Sequence, residues 1–82
     1  MNVGQIGVGT TVVTIVNANP SRYALLLYNV GSAAVYIAGT SSVTVTTGFP
    51  IFAGNAVTIN YKGAVYAIAS PPTNVAYIEI TS

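Results

Sequence analysis

Between residues 22 and 38 the apolar positions come so densely that the polar ones serve only as punctuation. RYALLLYNV at 22–30 places Tyr23, Leu25 and Leu27 on one face of an extended chain. Ala24, Leu26, Tyr28 and Val30 fall on the other, so neither face is polar. AAVYIA at 33–38 follows after a turn at Gly31-Ser32. A strand that is apolar on both sides needs cover on both, from its own fold, from another subunit, or from both.

The rest of the chain reads as short extended segments between glycine and proline turns. Residues 1–9 hold three glycines and little periodicity, which predicts an extended or mobile arm, either frayed or ordered against a partner. TTVVTIVNA at 10–18 is rich in β-branched residues suited to a strand. Asn19-Pro20-Ser21 is a turn. VTVTT at 43–47 alternates as a strand with one wet face. The connector at 48–55 carries Phe49 and Phe52, expected either to plug the end of the core or to meet a partner.

AVTINY at 56–61 and AVYAIA at 64–69 read as an antiparallel hairpin about Lys62-Gly63, with Gly63 at positive φ. Ser70-Pro71-Pro72-Thr73-Asn74 is a rigid loop. In the last strand, at 75–81, Ala76, Ile78 and Ile80 are expected inward and Val75, Tyr77, Glu79 and Thr81 outward. Seven strands at a spacing of roughly 8–12 residues, with no segment of 3.6-residue period, predict an all-β chain. The expected architecture is a small antiparallel β-sandwich of jelly-roll type with about seven to eight short strands. Its domain runs over 10–82, preceded by the arm at 1–9. Gly31…Ala34-Val35-Tyr36 is echoed by Gly63-Ala64-Val65-Tyr66, which reads as two similar core strands after glycine turns.

Composition adds a demand for partners. An 82-residue domain buries only roughly 60% of its unfolded surface, so it normally needs disulfides, a metal or oligomerisation. The chain has no Cys and no His, which excludes disulfides and removes the usual zinc ligands. Oligomerisation is the remedy that remains. Hydrophobic residues are 52% and charged residues 4%, against roughly 25% charged in an ordinary domain. Arg22, Lys62 and Glu79, the charged side chains of this sequence, cannot furnish a charged surface. The apolar runs reach six residues, far short of the roughly 20 a spanning helix needs, so no membrane partner is expected. The first residues show no basic and apolar signal-peptide regions, so the chain is expected to stay in the cytoplasm where it is made.

Chemistry is sparse. Glu79 is the only carboxylate side chain, so no acid/base pair forms within one chain. No His or Cys can serve as base or nucleophile, and no Ser or Thr has an evident activator. GVGTT at 7–11 lacks the lysine and following helix of a phosphate loop. The expectation is no enzyme, no cofactor and no metal. Two cations per chain make nucleic acid a poor partner, and the six tyrosines read as core and interface residues. Arg22 and Glu79 are a possible ion pair, if the strands that carry them end near each other.

The order of these segments resembles that of a diffuse group of short phage virion proteins. The matching stretches are Arg22-Tyr-Ala-Leu25-Leu-Leu-Tyr-Asn29-Val-Gly31, Val35-Tyr36-Ile37-Ala38-Gly39 and Gly48-Phe-Pro50, then Val65-Tyr66-Ala67-Ile68-Ala69 and Val75…Ile78-Glu79. Together they cover about residues 20–80. The resemblance implies a small β-sandwich, commonly trimeric, that sits on a capsid as a decoration or cement protein or forms a head-fibre or tail module. It implies a homo-oligomer, most often a trimer, bound to a major capsid protein at the virion surface. The alternative it leaves open is a tail- or fibre-associated module that binds host glycans. Tyr23, Tyr28, Phe49, Phe52 and Tyr77 are the interface residues expected on this reading, with the arm as a second contact.

Overall fold

The computed structural model describes residues 1–81 and contains eight strands. They are β1 (Asn2–Val8), β2 (Val13–Val16), β3 (Arg22–Asn29), β4 (Val35–Ala38), β5 (Phe49–Ile51), β6 (Ala56–Ile59), β7 (Val65–Ile68) and β8 (Thr73–Thr81). Among the described residues no helix is long and apolar enough to cross a membrane.

The strands form two four-stranded antiparallel sheets, ordered β1-β8-β3-β6 and β2-β7-β4-β5. The pairs β1·β8, β2·β7, β3·β6 and β4·β5 are those of one long ribbon doubled back on itself. Wrapping that ribbon adds β3·β8 and β4·β7 and closes two facing sheets. This is an eight-stranded jelly-roll sandwich. Its core is filled from one sheet by Val8, Leu25, Leu27 and Val75, and from the other by Ile15, Val16, Val35, Ile37, Ile51, Val65 and Ala67. Leu25 and Leu27 have no exposed surface, and burial of each contributes roughly 1.5–3 kcal/mol.

Several expectations are corrected by this arrangement. Residues 1–9 are not an arm: Asn2–Val8 is an edge strand that pairs with β8 along its whole length, from Asn2↔Glu79 to Val8↔Thr73. Residues 43–47 are a turn rather than a strand. The Thr44 hydroxyl is within hydrogen-bonding distance of those of Thr46 and Thr47, at 3.1 and 2.9 Å, and its carbonyl accepts from the Gly48 amide at 2.9 Å. Local hydroxyl bonds of this kind compete with a strand ladder. The strand forms instead at Phe49–Ile51, within the expected connector.

Lys62-Gly63 does not turn a hairpin. β6 pairs with β3 and β7 with β2 and β4, so this segment crosses from one sheet to the other. The glycine at positive φ is Gly54, in the turn between β5 and β6. The faces of β8 are also reversed: Thr73, Val75 and Glu79 are buried, whereas Ala76, Ile78 and Ile80 lie half-buried on the outside. The more apolar set of β8 positions is thus the outer one, and the inner face is held by the polar partners described next.

Candidate functional site

β3 runs between two buried polar clusters, one at each end of the sandwich. Arg22, the first residue of β3, is fully buried. Its Nε donates to Glu79 Oε2 at 2.8 Å, forming an ion pair. Nη1 donates to the carbonyls of Tyr61 and Gly63 at 2.8 and 2.9 Å, and Nη2 to that of Asn17 at 2.5 Å. One guanidinium thus holds the β2–β3 connection, the β6–β7 crossover and the end of β8. The Asn2 side-chain amide donates to the other carboxylate oxygen, Glu79 Oε1, at 3.0 Å, and so ties in the start of β1. That amide first, then the Arg22 guanidinium, hold the Glu79 carboxyl below its ordinary pKa against the opposing effect of burial, with a smaller contribution from Asn19. Lys62 Nζ donates to the Arg22 carbonyl. All three charged side chains therefore gather at this end.

Asn29, the last residue of β3, is fully buried at the opposite end. Its Nδ2 donates to the carbonyls of Ala33 and Ile51 at 2.6 and 2.8 Å. Its Oδ1 accepts from the Gly31 amide at 3.1 Å and from Thr73 Oγ1 at 2.9 Å. A carboxamide has two donors and two acceptor lone pairs, and all four are used. Gly31 must be small here, because a Cβ would fall 1.7 Å from Thr73 Oγ1. Among the described residues no buried side-chain nitrogen or oxygen lacks a partner.

The expected interface residues separate into groups. Tyr23, at the bulge in β3, and Tyr28 are 56% and 41% exposed. Phe49 and Phe52 are each 59% exposed, so neither plugs the core; buried Ile51 between them does. Tyr77 is corrected to the inner face, half-buried against the core. Phe49 borders a cleft of about 660 Å³ with Ile37, Val57, Ile59 and Tyr61, where the sandwich opens between β5 and β6. The five residues do not converge on one patch.

Ala76, Ile78 and Ile80, which sequence reasoning assigned to the inside, belong to a second set that faces outward. On the outer face of the β1-β8-β3-β6 sheet, Val3, Ile78, Leu26 and Thr58 stand in one cross-strand row. Gln5, Ala76, Tyr28 and Ala56 form the next, and Ile80 pairs with Ala24 on the far side. Outer faces of antiparallel sheets ordinarily alternate to polar residues. The signal that pointed here was the two-faced apolar character of residues 22–30.

Among the described residues the arrangement assembles no reactive constellation: the Glu79 carboxylate is paired and the guanidinium and ammonium groups are engaged with carbonyls. Compared with known protein families, curated proteins and solved structures, the chain matches none.

Proposed function

We propose that this chain is a structural virion protein of the phage decoration or cement type, a symmetric homo-oligomer that packs on a major capsid protein and stiffens the shell. A trimer is the order that the resembled proteins suggest. The observation that carries the reading is the disposition of charge. The three charged side chains are gathered at one end of the sandwich in hydrogen bonds to the chain itself, and a broad sheet face is left apolar. Such a molecule is suited to being covered by repeated neighbours. The residues that carry the resemblance support it in a limited sense: Arg22, Asn29, Gly31 and Glu79 are among the members of the two polar clusters, so the shared layout specifies a fold.

The alternative of a glycan-binding module draws no support from the apolar cleft beside Phe49. The cleft beside Phe49 offers only Thr58 and Tyr61 as polar side chains among its lining, few partners for the hydroxyls of a saccharide. The test is mass spectrometry of purified phage particles. The protein should be present at a copy number commensurate with the capsid lattice, and its absence from particles overturns the proposal.

A further inference from the structure

We propose that β1 is exchanged between copies of this chain, each copy's Asn2–Val8 lying on the next copy's β8. This deepens the proposed function by naming how copies associate, and it rests on that reading only for the premise that they do.

The occupant is a segment whose fit the fold already displays. β1 matches the edge that β8 turns away from β3, over paired positions from Asn2↔Glu79 to Val8↔Thr73. Side chains add to the fit. The Asn2 amide donates to Glu79 Oε1 at 3.0 Å, the missing Cβ of Gly4 makes room for Tyr77, and Val8 is buried in the core. These contacts are the same whether β1 comes from its own chain or from another copy. β1 also ends its sheet and packs chiefly on β8, so its departure leaves the other strands paired as they are.

What separates the closed form from the exchanged one is the link at residues 9–12, Gly-Thr-Thr-Val. There the chain turns from the edge of one sheet to the edge of the other, with bends at Thr10 and Thr11. The β7–β8 link turns the same corner beside it, the Ala69 amide donating to the Gly9 carbonyl at 2.8 Å. That side is built for a corner, because Pro71 and Pro72 fix their own φ angles. The β1–β2 side is not. Thr10, Thr11 and Val12 are β-branched and favour a strand, and sequence reasoning began one at Thr10 where β2 begins at Val13. Thr44 and Thr47 hold the other β-branched turn with hydroxyl bonds, whereas among the described residues the hydroxyls of Thr10 and Thr11 form none. Straightening residues 9–12 gives the link its preferred conformation and carries β1 away from its own β8. Exchange of an identical element is a low-cost route to association, and handed on around a ring it closes a trimer as well as a dimer.

The test places cysteines at Gln5 and Ala76, partners on the outer face of the β1–β8 ladder, in a chain with no other thiol. Refolded at roughly 100 µM and treated with a short bis-maleimide, the double variant should run on a denaturing gel chiefly as covalent multimers. Each single variant should stay unbridged. Bridges confined to single chains, or single variants bridged as strongly as the double, overturn the inference. Thr10→Gly/Thr11→Gly, which removes the strand preference of the link, should weaken association by at least roughly fivefold in chromatography with light scattering. Should the cysteine pair prevent folding, this variant decides alone: a monomeric wild type, or a link variant as associated as wild type, overturns the exchange. Exchanged chains missing from particles would refute the virion role and leave this inference standing. Chains bridged within themselves yet present on particles would do the reverse.

Discussion

The two ends of β3 meet the same demand with different chemistry. Where chains cross between sheets, backbone groups lose their ladder partners and need a side chain to replace them. At the Arg22 end the groups to be satisfied are the carbonyls of Asn17, Tyr61 and Gly63, acceptors only. A guanidinium supplies five donors, but it brings a charge that must be balanced inside the protein, and Glu79 balances it. At the Asn29 end two carbonyls stand with one amide and one hydroxyl, a set of two acceptors and two donors. A neutral carboxamide matches that set without any ion. The count of donors and acceptors at each crossing selects the residue, and one end becomes sensitive to protonation while the other does not.

The largest effect is expected from Arg22→Met, which strands a buried carboxylate together with three carbonyls. Breaking one side of a buried pair costs about 3–5 kcal/mol, and thermal unfolding followed by circular dichroism should show a Tm lower by at least about 12 °C. Arg22→Lys should recover only part of this, because an ammonium cannot reproduce the planar fork. A smaller loss, about 2–4 kcal/mol in urea unfolding, is expected for Asn29→Leu, which fills similar volume but leaves four uncharged groups unpartnered. If Asn29→Leu proves the more damaging of the two, the charged cluster is not the dominant clamp.

The smallest effect separates the ends by pH. Because the folded-state pKa of Glu79 is lowered, its contribution to stability is present above the unfolded carboxyl's pKa and is lost as pH falls through the folded value. Acid should therefore lower the Tm of the wild type and of Asn29→Leu alike, while Glu79→Gln flattens the profile. A wild-type slope retained in Glu79→Gln would assign the acid sensitivity to some other group.

The all-β sandwich was legible because turn residues recur every few positions and no helical period competes. The strands at 22–29, 35–38, 56–59 and 65–68 lie within the segments expected for them. β1 was hidden by its glycines. A Cβ at Gly4 would fall 2.7 Å from Tyr77 Oη, so Tyr77 lies over this position and the strand shows no apolar alternation there. The turn at 43–47 was hidden by its valines and threonines, which suit a ladder and a hydroxyl-bonded turn alike. For β8, hydrophobicity favoured the wrong face, since Ala76, Ile78 and Ile80 are more apolar than Val75, Tyr77 and Glu79. The deciding contact joins Glu79 to Arg22, 57 positions apart, and sequence reasoning noted that pair as possible without using it to orient the strand.

The pairing of β1 with β8 also sets a schedule for the growing chain. While this domain is being made, Asn2–Val8 emerges before its other strands, and its hydrogen-bond ladder is to the strand that leaves the ribosome after them. No portion of β1 can settle within its own chain until β8 has been made, and closure of their sheet must wait on contacts that run from Asn2↔Glu79 to Val8↔Thr73. The nascent domain thus carries an open, uncharged, strand-forming segment. The interval before β8 arrives is the period of greatest exposure to pairing with the wrong copy.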